Sequence, residues 1–191
     1  MSTFQETEQL EYQALMASSR EASRTGLVCW LVSGVAASAM LAWGLATKSP
    51  ALMLPVLLAT AYGYYANLRS RHHVRLVAGY LEEFYEDRGA ARWFTRLRSL
   101  ESSHAVFAHD WVTAALANGV VLAAVATSWL FAEGAARGDL MAGIVTGCGI
   151  VFAWHSTSET SRLRATDVGA SWHQAGLKLR ESPRRTERAA A

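Results

Sequence analysis

The sequence predicts an all-α integral membrane protein, a four-span helical bundle with amphipathic helices on the cytoplasmic side. Two observations carry that reading. First, four long apolar segments, roughly residues 26–46, 51–67, 111–132 and 140–154, contain no Asp, Glu, Lys or Arg. Second, 16 of the 18 Lys and Arg residues fall on one side of a membrane once those segments are marked: two before the first, seven between the second and third, and seven after the fourth. The two short connections hold only Lys48 and Arg137. Basic flanks resist translocation, so the bias predicts both termini in the cytoplasm. Only three prolines interrupt the 191 residues, which suits one continuous helical domain.

The chain opens with a helix over 4–24. Leu10, Ala14 and Ala17 share one face, with Tyr12, Leu15 and Met16 beside them. Glu6, Glu8 and Glu11 come early and Arg20 and Arg24 late, as the helix dipole favours. This acidic, polar lead-in does not read as a signal peptide. The first span follows over 26–46. Thr47-Lys48-Ser49-Pro50 reads as a tight external turn. Pro50 and Pro55 fall in that turn and the first turns of span two, where they are tolerated.

Span two, over 51–67, is short: 17 residues at 1.5 Å each cover about 26 Å. Tyr62, Tyr64 and Tyr65 at its end read as an aromatic belt at the inner interface. Tyr62-Gly63-Tyr64 contains a Gly-Tyr step but lacks the re-entrant loop of a potassium filter. No helix breaker follows Asn67, so the helix is expected to run on past Phe84 into the cytoplasmic helical segment 68–110. Val74, Val77, Leu81 and Phe84 step by 3, 4 and 3, a coiled-coil-like stripe. It should pack on the N-terminal helix or on a second copy. Gly89 is a plausible terminator. A short helix over 91–101 would carry Trp93, Phe94, Leu97 and Leu100.

Span three runs over 111–132, and residues 133–139 form a second external turn. Span four, 140–154, has only 15 apolar residues and needs His155 to Ser158 to complete a crossing. Gly143 and Gly147 form a GxxxG step, with Gly149 two residues on. Span one offers Ser33/Ala37 and Gly34/Ser38 at the same spacing. Small residues let helix backbones approach closely in lipid. Such faces serve either packing within the chain or a subunit interface, and packing within the chain is the first expectation. Residues 177–191 read as a basic, disordered tail. The two halves repeat loosely, each a span pair followed by Arg-x-Arg.

The chemistry-bearing residues are few. All six histidines lie on the cytoplasmic side, and His72, His109 and His155 fall near one depth. Three imidazoles at one level could hold zinc, copper or haem, or sense pH. No paired-ligand motif supports a metal, so plain interfacial histidines and no cofactor are expected. Cys29 and Cys148 have no CxxC or metal spacing and read as small apolar residues. Arg69, Arg71, Arg162 and Arg164 are placed to meet anionic headgroups. A net charge of +2 gives no reason to expect nucleic acid. The spans hold no Asp, Glu, Lys, Arg or His, which disfavours a pump or transporter. Nucleophile-elbow and phosphate-loop motifs are missing too, which disfavours an enzyme.

One resemblance adds to this. Glu11-Tyr12 in an N-terminal helix, then a tight hairpin, then Tyr80-Leu81-Glu82-Glu83-Phe84-Tyr85-Glu86 and Trp93, resembles small bacterial membrane proteins of the SLATT type. It spans about residues 8–100. The resemblance implies a two-span effector of nucleotide-signalled antiviral defence that oligomerises and disrupts the membrane. It carries no catalytic residue across, and the second span pair departs from its pattern. The expectation is a self-associating, non-enzymatic protein of the bacterial inner membrane, or an accessory subunit of a larger membrane complex.

Overall fold

The computed structural model describes residues 2–85, 107–132, 136–165, 172 and 174, with side chains from residue 9 onward except 107–110 and 163–165. Four helices dominate them: α1 (Ser2–Thr47), α2 (Met53–Phe84), α3 (Phe107–Leu130) and α4 (Ala136–Ala165). Each is long and apolar enough to cross a membrane. The expected helix over 91–101, Gly89 and the tail lie outside the described residues.

The N-terminal helix and span one are a single element of 46 residues. At 1.5 Å per residue α1 is about 69 Å long, more than twice a hydrocarbon core of about 30 Å. Nothing breaks it at Gly26, because that glycine is buried against Ser70 of α2. Helix α2 runs on past Asn67 without a break, as expected. The two therefore share a stalk beyond the apolar segments. Span four also exceeds its apolar core: α4 has 30 residues, about 45 Å.

The first turn explains the α1–α2 reversal. Lys48 adopts a left-handed conformation, φ 49°, and the Ser49 N–H donates to the Gly44 carbonyl at 3.2 Å. This is the six-residue closure of a Schellman cap, with lysine where glycine is usual. A 3-10 turn, Pro50–Leu52, then leads into α2. At the other hairpin a side chain on Gly138 would run into the Ala132 backbone, so only glycine lets α4 start so close to the end of α3.

The α1–α2 seam is built on small residues in antiparallel register. Gly26 meets Ser70 and Gly63 meets Ser33, so each pair sums to the same register. Gly44 sits over Met53. The core collects Ala37, Met53, Val56, Leu57 and Tyr64 with Ala114, Ala117, Val121, Ala124, Val145 and Phe152. Helix α2 touches each of the other three.

Candidate functional site

Two opposite faces of α4 concentrate what is chemically unusual here. Its inward face, at the end of the apolar stretch, carries a polar knot. The Tyr64 hydroxyl donates to the Ser156 carbonyl at 3.0 Å and lies 2.6 Å from Thr160 Oγ1. Thr160 Oγ1 also donates to that carbonyl at 2.7 Å. Asn118 of α3 reaches Ser156 Oγ at 3.3 Å and its own helix at the Ala114 carbonyl at 2.9 Å. Three helices are thus tied at one level. Among the described residues no buried side-chain nitrogen or oxygen lacks a partner. The knot can register helices, and its members are hydroxyls, an amide and a backbone carbonyl, with no carboxylate, imidazole or amine among them.

This corrects the belt reading for one tyrosine. Tyr62 is 66% exposed, as a belt residue should be, but Tyr64 is 2% exposed. The 3.6-residue period turns Tyr64 inward, edge-on to Phe152 at 5.6 Å. Tyr65 lies between, half-buried, 5.4 Å from the His155 ring.

The outward face is bare. A side chain added at Gly143 or Gly147 would meet nothing within 4 Å. Packing within the chain was the first expectation for both, and the structure departs from it. Helix periodicity gives the α3 contact to Ala142, Val145 and Gly149 instead, which are buried. A Cβ on Gly149 would sit 3.0 Å from Val125 and 3.2 Å from Val121. Gly143 and Gly147 form a notch flanked by exposed Leu140, Ile150 and Val151. On α1 the two small pairs divide likewise: Ser33 and Ala37 are buried, Gly34 and Ser38 exposed.

In the stalk, Val77 and Leu81 are buried against Tyr12, Leu15 and Met16 of α1, while Val74 and Phe84 are half-buried. Tyr80 donates to Glu11 at 3.0 Å, and Ser18 meets His73 Nε2 at 3.0 Å. Trp172, which the sequence reading passed over, donates its indole N–H to the Leu76 carbonyl at 3.1 Å and packs on Tyr80 and Phe84.

Of the three candidate histidines, His72 and His155 are exposed, and the side chain of His109 lies outside the described residues. Among the described residues no three His, Cys, Asp or Glu side chains come together as a metal site. Arg69 and Arg162 are exposed; Arg71 is half-buried and turned some 200° from Arg69 by its two-residue offset. The Arg164 side chain lies outside the described residues.

Comparison with protein-family models, curated proteins and solved structures gives no match.

Proposed function

We propose that this chain is a non-enzymatic protein of the bacterial cytoplasmic membrane that self-associates through the Gly143/Gly147 face of α4. In this reading its four spans form one bundle, both termini are cytoplasmic, and the assembly opens a pore or disrupts the bilayer when the stalk rearranges. The observation that carries it is the open notch: two glycines one turn apart, with nothing among the described residues within 4 Å of an added Cβ. Apolar surface alone would only mark the lipid-facing side. A groove that omits two side chains gives up lipid contact, and a second helix recovers it by close backbone approach. Gly34 and Ser38 on α1 supply the further face that an assembly larger than a dimer needs.

The test is stoichiometry in mild detergent or nanodiscs by native mass spectrometry. Wild type should give one symmetric oligomer. Gly147→Leu, which fills open space within the monomer, should release monomer of unchanged helical content. A wild-type monomer, or an oligomer that Gly147→Leu leaves intact, would refute the reading. Co-purification of wild type in fixed ratio with a different protein would replace it with an accessory-subunit role.

A further inference from the structure

Beyond self-association, we infer that the inner ends of α2 and α4 form a binding groove for one anionic phospholipid headgroup. On α2, Tyr65, Arg69 and His72 follow at spacings of four and three, and so share a face. On α4, His155, Glu159 and Arg162 repeat that spacing. The Tyr65 and His155 rings touch at 5.4 Å and fix the register between the two stripes. Both helices run the same way, since Tyr64 meets Ser156 and Thr160 while the Pro50–Leu52 turn also packs on α4. One turn further on, Arg69 therefore comes level with Glu159, and Arg162 follows.

The groove pairs chemistry with depth. Its floor toward the apolar spans is aromatic, Tyr65 backed by Phe152 at 6.1 Å. Its mouth carries two exposed guanidiniums. Among the described residues Glu159 is the one acidic side chain in it, and Arg162 binds it at 3.1 Å while remaining 76% exposed. Two described guanidiniums thus share one described carboxylate, with His72 beside Arg69. A phosphodiester at the end of two acyl chains fits this gradient: chains along the apolar flank, phosphate at the arginines, the tyrosine and imidazole between. Arg71 points to the other side of α2 and is no part of it.

Lipid is counted per protomer at whatever stoichiometry the protein shows, so the outcome is separate from that of self-association. Detergent-purified protein is mixed with phosphatidylglycerol or with chain-matched phosphatidylcholine, and retained lipid is counted by native mass spectrometry. Phosphatidylglycerol should be retained preferentially. Juxtamembrane cations predict a loss of about fivefold for each one removed, so Arg69→Gln/Arg162→Gln should lose most of it. Arg69→Lys/Arg162→Lys should keep most of it, and Arg137→Gln, at the opposite ends of the spans, all of it. Equal retention of both lipids would overturn the inference, as would full phosphatidylglycerol retention by the Gln pair. Inorganic phosphate that displaces the lipid at low millimolar concentration would show a free-anion site and overturn it too.

Discussion

Gly63→Val tests the α1–α2 seam, on which the rest of the structure hangs. The smallest addition at residue 63, a Cβ, would lie 2.5 Å from Ser33 Cβ, 2.9 Å from Ser33 Oγ and 3.5 Å from the Cys29 carbonyl. Carbon pairs rest at about 3.5–4.0 Å, so the first methyl already overlaps by about 1 Å. Ser33 is 6% exposed, and its Cβ cannot rotate away because it is fixed to the α1 backbone. The helices must part instead. A gap of about 1 Å forfeits a quarter to a half of each contact along the seam. Overpacking of this kind costs about 1–3 kcal/mol, and valine, with two further methyls, belongs at the upper end. The opposing effect is smaller: replacing a helical glycine by valine gains about 0.4 kcal/mol of propensity. At about 2–4 °C per kcal/mol, thermal denaturation in detergent followed by circular dichroism should show a drop of roughly 4–10 °C. Gly119→Ala is the control. It has nothing within 4 Å, so only propensity acts, and it should melt at or above wild type. A Gly63→Val protein that melts with wild type, or a Gly119→Ala protein that falls as far, would refute the reasoning.

Three other perturbations have definite outcomes. Leu81→Glu places a carboxylate at a position with 0% exposure between Tyr12, Leu15 and Met16, so the first turns of α1 should leave the stalk. Limited tryptic cleavage at Arg20 and Arg24 should then accelerate while the spans stay intact; an unchanged digest would mean that the stalk hairpin is not packed this way. Tyr64→Phe removes a hydroxyl whose partner Thr160 keeps its own bond to the Ser156 carbonyl. Interhelical bonds of this type average about 0.6 kcal/mol in membranes, so melting should fall by about 1–3 °C. Tyr64→Ala should cost far more, about 3–5 kcal/mol, by emptying the core; equal losses for the two would show that the hydroxyl, not the ring, dominates. Topology reporters after Ala191 and within 86–92 should read cytoplasmic, and one within 134–137 external. An external C-terminus would remove the four-span arrangement.

The four helices long and apolar enough to cross a membrane were legible because hydropathy is a one-dimensional property, and lipid permits few alternatives. The stalk was legible in part, since the 3-4-3 spacing at Val74, Val77, Leu81 and Phe84 marks a face before any partner is known. The orientation of each small residue was not. Gly143/Gly147 and Ser33/Ala37 look alike as strings, yet one pair opens outward and the other is buried. That depends on which side of a helix meets its neighbour. A closer clue was present: Gly26 to Ser33 and Gly63 to Ser70 are both seven apart, so two antiparallel helices can meet at both points at once. Tyr64 was misplaced for a related reason. Three tyrosines in four positions cannot share a face at 100° per residue, so at least one had to turn inward. Trp172 gave no sequence sign, because its partner lies 96 residues away and is a backbone carbonyl.

Site-specific cross-linking reads the α4 face most directly. With Cys29 and Cys148 replaced by alanine, Gly147→Cys puts a single thiol in the open notch, and Gly149→Cys puts one against Val121 and Val125. A disulfide forms only when the two Cα atoms approach within about 4.4–6.8 Å, a distance that close glycine-mediated contact permits. On mild oxidation in native-like membranes, Gly147→Cys should give a covalent dimer on non-reducing gels, and Gly149→Cys should stay monomeric. Absence of the Gly147→Cys dimer under conditions that oxidise an exposed control thiol would contradict self-association through this face.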